Sequence, residues 1–196
     1  MGQVHVINKF EDNPYPEAVE IDTTSRGAFK DLSPFFVGPV TDPHTGEICQ
    51  NFENFWQYHK VYKEHANAQG LPDTNYWEWR RMGYANHRAV RYPMGKGRKP
   101  LGSWFGNQML DYITAWKLIY APYYADLVRY TKSYNTIFNW CHNEGRDLVL
   151  RDFDGYDRLK FGMSLVDVMN SPTRKHGHAF ILAGMLTGQL ENMKAL

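Results

Sequence analysis

Glu53, Trp56, Gln57 and Lys60 follow one another at offsets of three, four and seven residues, the offsets at which side chains leave one face of an α-helix together. Such a face brings a carboxylate, an aromatic ring, an amide and an amine to one small volume. A carboxylate can take a proton or face a developing positive charge, and an amine shielded from water can serve as a base or nucleophile. Glu53 and Lys60 lie too far apart for the ion pair that exposed helices form at three or four residues. The alternate stripe, Phe52, Phe55, His59 and Tyr62, is free to pack inward. A plainer account of the same letters makes Asn51 an N-cap, Glu53 a first-turn carboxylate favoured by the helix dipole, and Lys60 a solvated side chain.

The run Glu53-x-x-Trp56-Gln57-x-x-Lys60-Val61-Tyr62 resembles the signature helix of the NADAR superfamily: Glu, an aromatic and Gln, Lys seven residues after the Glu, then an aromatic. Leu32-Ser33-Pro34-Phe35 is similar to the short segment that precedes this helix. Leu148 to Asp154 resembles the late apolar strand ending in an acidic loop, and Gly177 to Leu182 the start of the closing helix. The resemblance runs from about residue 29 to residue 190. Val4 to Arg26 and Arg91 to Trp104 have no counterpart, which marks a divergent member. It implies N-glycosidase chemistry, hydrolysis of the bond between a ribose C1 and a base nitrogen, on substrates such as a ribosylamino-pyrimidine or ADP-ribose attached to a guanine. It implies catalytic roles for Glu53, Lys60 and Asp152. Glu53 would act at the anomeric carbon. Lys60 would hydrogen-bond the sugar or attack the opened ribose as a Schiff-base nucleophile, with Asp152 holding Lys60 or the water. Trp56 and Gln57 would shape the pocket.

Other residues could extend that site. Lys96, Arg98 and Lys99 stand on a loop punctuated by Pro93, Gly95, Gly97 and Pro100, where cations and backbone amides could clamp phosphate, with Tyr92 and Trp104 near enough to stack on a base. No strand leads into that loop and its pattern is not a Walker motif. Asp152-Phe153-Asp154-Gly155 also resembles the nucleophile motif of haloacid-dehalogenase-like phosphatases, but too little chain follows for that sheet. Asp154 belongs to the same acidic loop and is a candidate substrate contact, while Asp157 reads as a solvated turn carboxylate. His178, at the start of the last helical run, could bond substrate or cap the helix. His176 and His178 form no metal motif, and no zinc spacing, nucleophile elbow or Cys/His pair is present, so neither metal nor cofactor is expected.

Length and composition set the frame for these residues. The chain has 196 residues, enough for one domain with a substantial core. Its 22 basic and 21 acidic side chains leave a formal charge of +1, so any nucleic-acid contact must be local. Two cysteines in no ligand spacing, no apolar leader, a Val6 that breaks the acylation pattern and no membrane-length apolar run predict a soluble cytoplasmic protein with no membrane partner. Six Trp, thirteen Tyr and eleven Phe suit a pocket for flat rings as well as a core.

The predicted fold class is α+β, mainly helical: a NADAR-like domain over residues 29–196, preceded by a small β-hairpin over residues 1–28. The hairpin rests on two apolar runs, Val4 to Ile7 and Ala18 to Asp22, separated by Asn-Pro-Tyr-Pro. Helices are expected over Asn75 to Met82 behind an Asp73-Thr74 cap, and from Met109 to His142 with an interruption at Pro122. Ser164 to Asn170 and Gly177 to Leu190 are the last helical runs, and Leu148 to Leu150 a buried strand. The expected ligand is a nucleotide-like small molecule or an ADP-ribosylated base. Two rival readings remain open, a catalytically silent binder of ADP-ribose-like nucleotides and a DNA-acting enzyme that removes a modification from a base.

Overall fold

The computed structural model describes residues 1–196. In chain order the elements are β1 (Val4–Asn8), β2 (Val19–Asp22), β3 (Val40–Thr41), β4 (Ile48–Cys49), α1 (Phe52–Tyr58), β5 (Lys60–Val61), α2 (Thr74–Ala85), β6 (Gly102–Phe105), β7 (Gln108–Leu110), α3 (Tyr112–Ala115), α4 (Ala121–Val128), α5 (Lys132–His142), β8 (Leu148–Asp152), α6 (Leu165–Met169), α7 (His178–Leu186) and α8 (Leu190–Lys194). They form one mixed domain of helices and small sheets around a single core.

The central sheet corrects the expected hairpin. β1 and β2 do not pair with each other. Both run parallel to β8, in the order β1-β8-β2, with Val4 and Val19 each opposite Leu148. β8 is buried over Leu148, Val149 and Leu150, so each of its edges needs a strand partner to satisfy its backbone, and the N-terminal runs supply both. The Asn-Pro-Tyr-Pro turn is real, with Tyr15 N donating to Asn13 Oδ1 at 2.8 Å, but it carries the chain past β8 instead of folding it back. Residues 1–28 are therefore part of the domain and not an extension to it.

α7 packs on this sheet. Its sequence is apolar on every side and only Met185 escapes full burial, the pattern of a helix at the centre of a core. Gly188, in the left-handed region at φ 68°, ends the run, so the predicted closing helix is two helices, α7 and α8.

Two helices start at the caps their sequences offer: Asn51 accepts from Asn54 N and Asp73 from Tyr76 N. α6 starts with a reciprocal capping box between Ser164 and Asp167 that the reading of its run did not single out. The long central helix differs from expectation. Pro122 does not interrupt it. A widened π turn, Trp116–Tyr120, precedes Pro122, which sits in the first turn of α4, and the true break falls at Arg129 to Thr131, where Thr131 caps α5. No helix is long and apolar enough to cross a membrane.

Candidate active site

A cavity of ≈ 140 Å³ opens at the carboxyl edge of the parallel sheet, the end at which open α/β sheets bind ligands. Thr24 and Ser25 reach it from the end of β2, Asp152, Phe153 and Asp154 from the end of β8, and His176 to His178 from the start of α7. α1 closes the opposite wall with Glu53, Trp56 and Gln57. Its volume is close to that of the engineered cavity of about 150 Å³ that holds one benzene. One ring fits inside, and a larger ligand must extend out of the mouth.

Glu53 is placed by its own helix start. Its amide donates to Pro34 O at 2.9 Å and that of Phe52 to Val37 O at 2.9 Å, so residues 33 to 37 wrap the first turn of α1. Tyr124 fastens the same segment through its hydroxyl to Leu32 O at 2.5 Å. The Glu53 carboxylate accepts from Gln57 Nε2 at 2.9 Å, and Gln57 Oε1 accepts from Lys60 Nζ at 2.8 Å. Burial pushes the Glu53 carboxyl up, against the pull of Gln57 and the charges of Lys60 and Arg91.

Lys60 differs from its predicted place. α1 ends at Tyr58, so Lys60 lies on β5 opposite Ser103 and not on the helix face. Its amine sits 5.0 Å from the centroid of the Trp56 ring, is pushed down to about 8 by burial, and is not among the groups lining the cavity. It touches the site through Gln57. A direct attack on a sugar carbon from this position is not supported.

Asp152 also has a different role from the one expected. It does not hold Lys60. Its Oδ2 lies 3.1 Å from His178 Nδ1 and accepts from Ala179 N at 3.1 Å, while Oδ1 accepts from Asp154 N at 3.3 Å. His178 Nε2 faces Thr23 O at 2.9 Å. Both ring nitrogens thus face acceptors, which only the doubly protonated imidazolium satisfies. Burial opposes charge on both partners, but their attraction outweighs it: Asp152 is lowered to about 2 and His178 raised above its usual range. The pair fastens the start of α7 to the end of β8. Gly177 has to be glycine for this, since a Cβ there would collide with the Asp152 carboxylate.

The basic loop stays away from the cavity. Lys96 and Lys99 are exposed, Arg98 pairs with Glu64, and neither Tyr92 nor Trp104 lines the site. The cation that reaches it is Arg91, whose guanidinium donates to Asp154 Oδ2 at 2.8 Å. Asn54 explains its placement. This fully buried amide bonds the carbonyls of Gly83, Asn86 and Arg88 and the amide of Val90, pinning the strand of chain that delivers Arg91. Asp157, read from sequence as solvated, is buried and accepts from Tyr15 Oη at 2.9 Å.

Sequence reasoning missed Arg91, Trp116, Tyr120 and His176 in the site. Trp116 and His176, both buried, lie with ring centroids 4.4 Å apart and ring planes tilted by 53°, and neither the indole N–H nor either imidazole nitrogen has a hydrogen-bond partner. Burial pushes His176 down to about 4, leaving a neutral ring. Trp116 and Tyr120 come from one helical turn, but Arg91 and His176 come from distant stretches of chain, so no spacing announces a site shared by all four. A second buried polar cluster, in which Asp42 meets Arg80, His59 and Tyr84, joins α2 to the end of α1 and lies outside this cavity. No group of three or more His, Cys, Asp or Glu side chains is arranged to hold a metal ion.

Fold and site together define a mixed α and β domain with a one-ring cavity at the carboxyl edge of a small parallel sheet. Residues 5–159 match the family of unknown function DUF6939, and the chain belongs to that family. No curated protein and no solved structure matches it. The matched span holds β2 and all of β1 but Val4, along with Glu53, Arg91 and Asp152.

Proposed function

We propose that the chain is an N-glycosidase that hydrolyses the bond between a ribose C1 and a base nitrogen in an ADP-ribosyl or related N-ribosyl compound. The observation that carries this reading is a buried carboxylate, Glu53, on the wall of a cavity sized for one ring. The similarity of Glu53 to Tyr62 to the NADAR signature helix supports it. Hydrolysis at C1 passes through an oxocarbenium-like transition state, which a carboxylate stabilises by charge. Water oxygen bonds to C1 as the C1–N bond breaks, the bonding pair leaves with the base, and Glu53 takes the proton from water. A raised carboxyl suits that base role better than an ordinary one. The face of Trp56 adds attraction for the cationic sugar. Lys60, through Gln57, orients the carboxylate, and its charge opposes the upward push of burial on Glu53, which makes it a positioning residue.

Incubating the protein with a panel of N-ribosyl nucleotides and ADP-ribosylated DNA, followed by mass spectrometry of released bases, tests the reading. Release of free base with a reducing ribosyl product is expected. Tight binding of a panel member with no base release would replace the enzyme by a silent binder.

A further inference from the structure

The mouth of the cavity carries an aromatic surface that the core does not use. Phe153 lines the cavity yet is 37 % exposed, and Phe10, in the loop after β1, is 79 % exposed with its ring 5.8 Å from that of Phe153. Leaving a ring as large as Phe10 in water forgoes the gain that burial would bring. Two cations share the patch. Lys9 Nζ lies 5.1 Å from the Phe153 centroid, and the Arg91 guanidinium lies 5.9 Å from Phe153 and 5.4 Å from Tyr92. Both keep donors to spare. Lys9 gives two bonds, to Asp22 and to Thr24, out of three N–H groups, and Arg91 gives one, to Asp154, out of five.

We propose that Phe153 and Phe10 form a stacking shelf outside the cavity for a second planar ring of the ligand, while Arg91 and Lys9 meet an anionic linker between that ring and the one inside. The ligand class is two ring units joined through phosphate, a dinucleotide-like compound and not a lone riboside. The cavity is sized for a single ring, and Phe153 is the one exposed aromatic side chain of its lining, so a ring that follows outside has that face to rest on. An aromatic face is a sequence-tolerant platform for a base, and spare cationic donors beside it are what a phosphate seeks. The proposal rests on the glycosidase reading for the identity of the buried sugar. It adds residues from the N-terminal loop that nothing in the signature helix implies.

Calorimetric titration with ADP-ribose and with ribose 5-phosphate tests it on the full chain. ADP-ribose should bind at least about tenfold tighter than ribose 5-phosphate, the scale of one stacked base. Phe10→Ala, which alters an exposed side chain outside the cavity, should remove most of that difference without moving the ribose 5-phosphate affinity. Phe10→Trp should keep it. Equal affinity of the two ligands for the wild type, or a difference that survives Phe10→Ala combined with Phe153→Leu, would overturn the shelf. A short single-stranded oligonucleotide that outcompetes ADP-ribose and loses affinity in the same variants would overturn the dinucleotide assignment in favour of a polymer. Shelf-dependent binding with no base release would sink the glycosidase reading alone, and base release without shelf dependence would sink the shelf alone.

Discussion

Asp152 and Glu53 are both buried carboxylates in one cavity, and their partners set them to different tasks. Asp152 has an imidazolium and two backbone amides, so its charge is committed to holding α7. Glu53 has one neutral amide and more distant cations, so burial raises its carboxyl and no charged partner occupies it. The difference has a signature in stability against pH. Asp152 is depressed from 3.8, so its contribution is present above that value and is lost as pH falls towards about 2. His178 is raised from 6.5, so its contribution is full below that value and is lost as pH rises through the folded value. The stability gap between wild type and His178→Gln should therefore be widest between the two ordinary values, at about 3 kcal/mol, as for a broken buried pair. It should shrink at alkaline pH. Urea titrations at several pH values check this, and a gap that widens with alkalinity would mean that His178 is neutral.

At the scale of elements, the start of α1 and its cap are legible in the letters, and Glu53, Trp56 and Gln57 do share one wall of the cavity. Asn51 and the first apolar stripe, Phe52 and Phe55, are local signals, and local signals survive folding. Lys60 was misplaced because the helix stops at Tyr58, and the pairing of β5 with β6 that stops it involves Ser103, far along the chain. Arg91 was hidden for a similar reason: its position depends on Asn54, whose bonds to residues 83 to 90 no spacing rule reveals. Asn54→Leu should cost roughly 3 kcal/mol, since it strands several buried backbone groups at once, and should weaken binding of phosphorylated ligands by releasing Arg91. Denaturant unfolding and ligand titration of that variant measure the two effects separately. Unchanged ligand affinity in a folded Asn54→Leu protein would detach Arg91 from the site.

Across the whole molecule, β8 joins the two ends of the chain. The N-terminal strands flank it, and everything from Thr23 to Asp147 is one long connection between β2 and β8. A turn motif between two apolar runs looks the same whether the runs pair with each other or with a third strand, so the hairpin was the natural reading and the parallel sheet was not legible. Deleting residues 1–28 should abolish cooperative unfolding, because it strips both edges of a buried strand. A truncated chain that melts cooperatively near the wild-type Tm would restore the separate-extension view. The central claim, that Glu53 performs hydrolysis at a ribose C1, is tested most directly by comparing kcat for base release in wild type and Glu53→Gln. Glutamine keeps the shape and can still accept from Gln57, so folding and ligand affinity should persist while kcat falls about 10²- to 10⁴-fold. A Glu53→Gln protein that releases base at the wild-type rate would contradict the account.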